Sequence, residues 1–301
     1  MEQQRVVALG FFDGVHRGHQ AIVKKAVALA REKGMQAAVV TFENHPRAYV
    51  RGRAPDMIST FQRRYALLQE HGAQLVVALP FDRNMAETSP EDFARMLKER
   101  YRAAVVVCGT NYRFGRNAAG KPEHFEAFGL ETHVVPPVLY GSRVVSSTYI
   151  RESVRDGKVG LARRLLGRPF DLEGPIVGGF QVGRTLGYPT INIRVEDGLL
   201  MPHKGVYVTR VTVDGQSFRA VTNVGTRPTF TDADIVSVES ICWTFPAIFT
   251  DMRPAWNFSS TCAPNGALPT ATPCGRRSPR IFSRRWNIAD KFCRGWPPDI
   301  P

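Results

Sequence analysis

The stretch GFFDGVHRGH, residues 10–19, decides the fold of this chain. It follows a short apolar run and precedes a helical pattern, which predicts a strand, a glycine-bearing turn and the N-terminus of a helix. At such a junction the backbone N–H groups and the helix dipole favour an anion. His16 and His19, three residues apart, put two imidazoles on the first helical turn. Because Gly14 and Gly18 let phosphate approach the backbone closely, the stretch predicts a nucleoside triphosphate site.

This string resembles the HxGH signature of nucleotidylyltransferases. Its form FDGVHxGH is similar to the adenylyltransferase half of bacterial bifunctional riboflavin kinase/FAD synthetases. The resemblance implies that His16 and His19 are catalytic, contacting the ATP phosphates, and that no covalent enzyme intermediate forms. It also implies ATP-binding roles for other residues of the string: Gly10, Phe11, Asp13, Gly14 and Gly18. From the residues alone, the alternative is that the two histidines are polar loop residues and the glycines serve only the turn.

Composition limits the classes of protein to consider. The chain has 301 residues, of which 43% are hydrophobic, and this length favours about two domains. We find neither an apolar run of membrane-spanning length nor a signal peptide, so we expect a cytoplasmic protein with no membrane partner. Five cysteines without CxxC or Cys/His ligand spacing argue against a disulfide framework and a zinc site. The net charge of +13 suits nucleic acid, acidic lipid or a phosphorylated small molecule, without choosing among them.

The first half of the sequence alternates strand and helix patterns. Apolar runs predict strands over residues 37–42, 75–79 and 104–108, and a serine cap followed by proline predicts a helix from Pro90 to about Tyr101. Strands that are apolar throughout and separated by helices indicate a parallel sheet covered on both faces. Ligands gather at the carboxyl ends of such strands, and the candidate motifs follow those ends.

Two loops after these strands resemble the flavin-binding loops of the same family. In FENHPR, residues 42–47, Asn44 replaces the usual proline, and in CGTNYRFGRNAAG, residues 108–120, Asn111 replaces a common aspartate. The resemblance implies flavin-binding roles for six residues: Phe42, His45, Pro46, Asn111, Arg113 and Phe114. From the residues alone, the second loop is equally consistent with a basic, glycine-containing surface loop.

A third motif, VVSSTYIRESVRDG at residues 144–157, combines a serine helix cap with a cation. Ser146 or Ser147 would cap a helix whose first turn carries Arg151, an arrangement that holds phosphate. The SSTxIR string resembles the family's second ATP motif, which implies that Ser147 and Thr148 bind ATP and that Arg151 is catalytic. Taken alone, the motif is an ordinary N-cap with a solvated arginine. Together with the first motif it predicts two anion sites at opposite ends of the domain, so that positioning and charge would drive adenylyl transfer without a protein nucleophile.

Beyond residue 156 the pattern changes. Helical spacing predicts a linker over residues 157–169, and short alternating runs then predict a small antiparallel β-barrel over residues 170–240. Asp214 and Gly215 join two of these runs, which is a strong hairpin signal. The expected fold class is α/β plus all-β: an HxGH, Rossmann-like domain over residues 1–156, followed by a barrel that resembles riboflavin kinases.

The chemistry of the barrel is expected in GGFQVGRTLGYPTIN, residues 178–192. Its glycines allow backbone N–H groups to wrap phosphate, and Thr190 and Asn192, two apart on a strand, offer oxygens to Mg²⁺ on one face. GRTLGYPTIN resembles the GxxLGxPTxN motif of riboflavin kinases, which implies ATP-binding roles for Gly178, Gly183, Arg184 and Gly187. The same resemblance makes Glu239 the catalytic base that takes the proton of the ribityl 5′-hydroxyl. From the residues alone, Thr190 and Asn192 also suit cross-strand hydrogen bonding.

The last fifth of the chain, residues 241–301, is unlike that family. It shows no periodicity and holds all four tryptophans and four of the five cysteines. Permitted codons for residues 241–250, read from one nucleotide upstream, give HLLDFPGDLY, which is similar to the family's continuation HLLDFxGDLYG. We hypothesise a single-base deletion near codon 240, in the gene or in its assembly. A barrel without its closing strands would expose an edge and fold poorly, whereas the first domain would be unaffected.

The resemblance over residues 6–240 implies a bifunctional enzyme that phosphorylates riboflavin to FMN and adenylylates FMN to FAD, using ATP and Mg²⁺. Small molecules are its expected partners, and its oligomeric state stays open. Two alternatives remain: an FMN adenylyltransferase with a damaged kinase half, and a basic nucleic-acid-binding protein. The second alternative conflicts with the lack of aromatic residues interleaved on a basic stripe.

Overall fold

A computed structural model describes residues 3–177, 190–213, 215–227, 235–242 and 257–259. The first half is built on a five-stranded sheet in which every pairing is parallel and the strand order is β3-β2-β1-β4-β5. The strands are β1 (Arg5–Leu9), β2 (Gln36–Phe42), β3 (Leu75–Leu79), β4 (Ala103–Gly109) and β5 (Glu131–Val135). The central strand β1 therefore lies between β2 and β4, at the point where the chain crosses from one side of the sheet to the other. The α/β prediction is confirmed.

Eight helices connect and cover these strands in the described part of the chain. They are α1 (Arg17–Glu32), α2 (Pro46–Arg51), α3 (Phe61–Glu70), α4 (Arg83–Glu87), α5 (Pro90–Glu99), α6 (His124–Ala127), α7 (Ser147–Arg155) and α8 (Val159–Leu166). Side-chain caps fix several of their starts. Ser89 accepts a hydrogen bond from the Asp92 N–H at the start of α5, and Ser146 accepts one from the Tyr149 N–H at the start of α7.

The parallel sheet is buried on both faces. Val6 and Ala8 of β1 pack on one face with the apolar side of α1 and with α3, and Val7 and Leu9 pack on the other face with α5. Alternate side chains of one strand thus enter two different cores. This double burial explains why the strands are apolar throughout.

In the second half, the described residues form a seven-stranded sheet in which every pairing is antiparallel, in the order β8-β14-β11-β12-β13-β10-β9. The long hairpin β11–β12 runs without a register break, with Gly215 at φ 76° in its turn as the sequence predicts. The strands are β8 (Asp171–Glu173), β9 (Ile176–Val177), β10 (Thr190–Ile193), β11 (Gly205–Val213), β12 (Gln216–Arg227), β13 (Ile235–Cys242) and β14 (Asn257–Ser259). A short separate hairpin precedes α7 and consists of β6 (Leu139–Tyr140) and β7 (Arg143–Val144).

The two halves share packing and polar contacts. One apolar core contains residues of α7 and α8 together with residues of the antiparallel sheet. Met57 forms backbone hydrogen bonds with Gly198 and Leu200, both 2.7 Å long. Arg63 of α3 donates from Nε to the buried Asp171 carboxylate at 2.6 Å. The segment that precedes α3 therefore touches both the first and the second half.

Candidate active sites

The first candidate site lies at the carboxyl end of β1. The turn after the strand bends sharply, since the buried residues Phe12 and Val15 both have positive φ angles, 59° and 40°. Such angles are strained for side chains of this size and are tolerated where packing holds them. At Gly14, φ is +73°, and a Cβ there would come within 2.6 Å of the Ile58 side chain. The glycine is therefore required both by the backbone conformation and by this close approach.

The two histidines of the motif form one unit. His16 is the N-cap of α1, and its Nδ1 accepts a hydrogen bond from the His19 N–H at 3.3 Å. Their imidazole rings stack with centroids 3.6 Å apart. A Cβ on Gly18 would approach the His16 ring to 3.1 Å, so a larger residue at position 18 would crowd the imidazole. The pair stands at the N-terminus of a 16-residue helix, where an anion is favoured.

The third motif joins the first at the same place. The Ser147 hydroxyl donates to the Asp13 carbonyl at 3.2 Å, and the Arg151 guanidinium forms an ion pair with the Asp13 carboxylate. The expectation of two anion sites at opposite ends of the domain is therefore corrected, because the N-termini of α1 and α7 meet at one site. The two motifs meet through the contact between Asp13 and Ser147, which are 134 positions apart in the sequence.

Buried ion pairing determines the surroundings of Asp13 and Arg151. Asp13 is 2% exposed and its carboxylate also accepts the Ile58 N–H, at 3.0 Å. Arg151 is 8% exposed and donates from Nε to the Asp56 carbonyl at 2.7 Å. Arg151 is thus held by the protein on two sides and is not the solvated arginine of the alternative interpretation. Burial raises the pKa of Asp13 despite the opposing effect of Arg151.

The imidazoles are uncharged in this environment. Burial lowers the pKa of His16 to about 4, with a further contribution from the charge of Arg151. Burial also lowers the pKa of His19 well below its usual value, aided by His16 and Arg64. Each ring therefore carries one N–H at neutral pH and can donate one hydrogen bond. His19 Nδ1 is buried and has no hydrogen-bond partner among the described residues.

The loop after β2 lies beside the histidine pair. The Phe11 ring contacts the His45 ring with centroids 4.5 Å apart, and Phe42 packs edge-on against Phe81 at 5.0 Å. Asn44 bridges this loop to the end of β3, since its amide donates to the Phe81 carbonyl and its Oδ1 accepts the Phe81 N–H. The residue that departs from the family pattern thus fastens two loops of the site together.

The loop after β4 divides into an exposed and a buried part. Asn111 and Arg113 are exposed at the same sheet edge as the other loops. Phe114 is 5% exposed, and its ring stacks on the Phe125 ring at 4.0 Å within the core. A Cβ on Gly120 would lie 2.8 Å from the Phe114 ring, which explains the glycine. Of the predicted flavin-binding residues, Phe114 is therefore placed in the core.

The second candidate site is built by strand register. Asn192 of β10 pairs with Glu239 of β13, and Thr190 pairs with Ile241. Since directly opposed residues of an antiparallel pair share a face, the backbone of Thr190, Asn192 and Glu239 sets all three on one face. Asn192 is buried and Glu239 is half-buried. The predicted ATP-binding residues of this site lie outside the described residues: Gly178, Gly183, Arg184 and Gly187.

Sequence reasoning missed two supports of the first site. The first is the segment 56–60, where Ile58 binds the Asp13 carboxylate and the Ser59 hydroxyl accepts the Gly14 N–H at 3.3 Å. The sequence does carry a signal for the end of this segment, because Thr60 is a typical N-cap residue and accepts the Arg63 N–H at the start of α3. The second is Arg64, 1% exposed. Arg64 directly follows Arg63, and two adjacent arginines are typical of a solvent-exposed helix face. The sequence therefore carries no signal that Arg64 is buried.

Comparison with known proteins gives matches to both halves. A family model described as FAD synthetase matches residues 1–149, and one described as riboflavin kinase matches residues 166–262, which extends past the predicted boundary at 240. A bifunctional riboflavin kinase/FMN adenylyltransferase from Listeria monocytogenes is 32% identical over 240 residues, covering 78% of this chain and 76% of that protein. A protein of the same name from Escherichia coli is 32% identical over 234 residues, covering 74% of each.

Among solved structures, one described as a macrolide-efflux protein from Streptococcus pneumoniae is similar over most of its length. It has a TM-score of 0.87 and 28% identity, and the match covers 99% of this chain and 96% of that one. In the part of the chain that the structure describes, no helix is both long and apolar enough to cross a membrane.

Proposed function

Because the chain belongs to the family of bifunctional riboflavin kinase/FMN adenylyltransferases, we propose that it converts riboflavin to FMN and FMN to FAD. ATP supplies the transferred group in both steps. The second half carries the kinase reaction and the first half carries the adenylyl transfer. The observation that most supports this assignment is the junction of the two predicted ATP motifs at one site, where Ser147 meets Asp13 beside the histidine pair.

In the adenylyl step, a phosphate oxygen of FMN attacks the α-phosphorus of ATP, and the bond to pyrophosphate breaks. The neutral rings of His16 and His19 donate hydrogen bonds to the phosphates without first losing a proton. The N-termini of α1 and α7 add backbone donors and favourable dipoles, and Ser147 and Thr148 lie in the first turn of α7. The reaction needs no protein nucleophile. Cys108 does not supply one, because burial raises the pKa of its thiol to about 12.

The flavin is assigned to the loops beside this phosphate site. Phe42, His45 and Pro46 line one side, and the exposed Asn111 and Arg113 line the other. Arg113 offers a guanidinium to the FMN phosphate, a suitable partner for an oxyanion. The loops converge because parallel strands end at the same edge of the sheet.

Both proposed reactions use Mg²⁺ together with ATP. Among the described residues there is no cluster of three or more His, Cys, Asp or Glu side chains that would hold an ion by itself. In the first site Mg²⁺ would therefore be bound mainly through the ATP phosphates, as this ion commonly is. In the second site the oxygens of Thr190 and Asn192 would hold it, and the bound ion supplies charge neutralisation of the phosphates.

In the kinase step, Glu239 accepts the proton of the ribityl 5′-hydroxyl, whose oxygen attacks the γ-phosphorus of ATP as ADP leaves. Glu239 stands directly across from Asn192, so base and proposed metal ligand are neighbours on one face. Its half-buried position suits a carboxylate that must reach a bound substrate. The glycine-rich stretch from Gly178 to Gly187 would cover the phosphates.

A second candidate function is FMN adenylyltransfer alone, with the kinase half damaged. Only part of the predicted tail favours it, because the riboflavin kinase match includes residues 241–262 and leaves only residues 263–301 beyond its end. The deletion hypothesis stays a prediction, and resequencing the gene around codon 240 tests it. An intact frame with no missing base in independent reads would exclude it.

One incubation separates these candidates. Purified protein is mixed with ATP, Mg²⁺ and either riboflavin or FMN, and the flavins are resolved by chromatography. FAD from both substrates supports the bifunctional assignment, and FAD from FMN alone supports the damaged-kinase candidate. FAD from neither contradicts both. In that case an assay of salt-dependent nucleic-acid binding would test the remaining alternative, since such affinity falls steeply with ionic strength.

A further inference from the structure

Arg64 is a buried cation that none of the recognised motifs contains. It lies on α3 and is 1% exposed. Its Nη1 donates to the Phe11 carbonyl at 2.9 Å, and its Nη2 donates to the carbonyls of Phe42 at 2.7 Å and Glu43 at 3.1 Å. The guanidinium also lies over the Phe11 ring, 4.3 Å from its centroid.

These acceptors belong to two different strand ends. Phe11 follows β1, whereas Phe42 and Glu43 mark the end of β2. One side chain therefore joins the loop that carries the histidine motif to the loop that carries His45 and Pro46. A planar guanidinium suits this task because its donors point in fixed, diverging directions. Lysine would offer a single ammonium and no rigid fork. Thr41 adds a further hydrogen bond to the Phe11 carbonyl at 3.0 Å.

Arg64 also contributes to the electrostatics of the site. Burial is the main cause that lowers the pKa of His19 and of His45, and the positive charge of Arg64 adds to both shifts. Burial lowers the pKa of Arg64 itself to about 10, and the Asp13 carboxylate opposes this shift, so the side chain stays charged at neutral pH. Phe11, which Arg64 holds by its carbonyl and its ring, contacts the His45 ring. The arginine thus acts on both sides of the site without being exposed to substrate.

We propose that Arg64 is a positioning residue for adenylyl transfer, which ties the carboxyl ends of β1 and β2 together and holds the Phe11 ring of the ATP motif against His45 of the flavin loop. This inference rests on the proposed adenylyltransferase function. When the loops that align ATP and FMN are misplaced, kcat falls more than substrate binding weakens. The conservative lysine variant keeps the positive charge and loses the planar set of donors. It therefore separates the contribution of the charge from that of the hydrogen bonds to the two loops.

The test compares Arg64→Met, Arg64→Lys and Arg63→Met. Arg63 is the control because it lies on the same helix but pairs with Asp171 and Glu70, away from the site. With FMN and ATP we expect kcat to fall about 30-fold in Arg64→Met and about 5-fold in Arg64→Lys, with the KM for ATP changed less than threefold. Arg63→Met should keep the wild-type kcat.

The pH profile adds a readout that a purely structural role would not change. Loss of the positive charge raises the pKa of His19 and His45, so the acid limb of kcat/KM should move to higher pH in Arg64→Met and stay in place in Arg64→Lys. The proposal is overturned if Arg64→Met keeps wild-type kcat, or if Arg63→Met loses as much activity.

Where Arg64→Met does not fold, the lysine variant decides the question, and a wild-type kcat in that variant overturns the proposal. A wild-type protein that makes no FAD from FMN would instead contradict the proposed function. Histidine titration by NMR then still tests Arg64. An unchanged His45 titration in Arg64→Met would overturn its role in the site.

Discussion

The two halves of this molecule assemble their sites in different ways. In the first half, side chains far apart in sequence meet through loops and helix caps at the carboxyl ends of parallel strands, as Ser147 meets Asp13. In the second half, Asn192 and Glu239 become neighbours by antiparallel register alone. The first site therefore depends on buried polar contacts between connections, and the second depends on correct strand pairing. A substitution in one site should therefore lower one activity and leave the other at its wild-type rate.

The largest effect is expected for Glu239→Gln in the second half. Glutamine cannot accept the hydroxyl proton, and loss of a general base costs typically 10²–10⁴-fold, so we expect riboflavin phosphorylation to fall about 10³-fold. FAD formation from supplied FMN should stay at the wild-type rate, because the first site uses none of these strands. Initial rates of FMN and of FAD formation measure the two outcomes. Equal losses in both reactions would contradict the separation.

The reciprocal change is His16→Asn in the first half. Asparagine keeps the N-cap of α1, so the helix start is preserved while the imidazole is lost. Removal of one donor to the charge of the transition state typically costs 10²–10³-fold, and we expect FAD formation from FMN to fall about 10²-fold. Kinase activity should be unchanged. FAD formation within threefold of wild type would show that His16 does not contact the reacting phosphates.

A smaller effect, on stability, is expected for Asp13→Asn. The change leaves the buried Arg151 without its anionic partner, and removing one partner of a buried pair usually costs 3–5 kcal/mol. Asparagine still accepts hydrogen bonds, so we expect the free energy of unfolding to fall by about 2 kcal/mol. Asp56→Asn is the matched control, because Asp56 pairs with Arg155 at the surface and should change stability by about 0.5 kcal/mol at most. Urea unfolding of both variants measures the difference.

The same contrast between the halves explains what the sequence could predict. Periodicity predicted strands β1 to β4 and the β11–β12 hairpin, and the motif at residues 10–19 located the turn after β1, because these signals are local. The strands β5, β8, β13 and β14 were not predicted. The meeting of α1 and α7 at one site was not predicted, since it depends on a contact across 134 residues. The burial of Arg64 and the core position of Phe114 were equally hidden, because only tertiary packing distinguishes a buried arginine or ring from an exposed one. The face shared by Thr190 and Asn192 was predicted, because it follows from strand alternation alone.

The smallest effect is a pH dependence of stability that belongs to the first half. The pKa of His16 is about 4 in the folded protein and near 6.5 when unfolded, so the unfolded state binds more protons between these values. Stability contributed by the neutral ring is therefore present above pH 6.5 and is lost progressively as pH falls toward 4. Between pH 7 and pH 6 the wild-type protein should lose about 0.7 kcal/mol more than His16→Asn.

Urea unfolding of both proteins at the two pH values measures that difference. The raised pKa of Asp13 acts in the opposite direction, because the folded state then binds the extra proton, but it is present in both proteins and cancels in the comparison. His19 and His45 remain in both as well. Parallel stability curves for the two proteins would mean that His16 is not desolvated in the free enzyme, and would weaken the assignment of a neutral imidazole donor at the phosphate site.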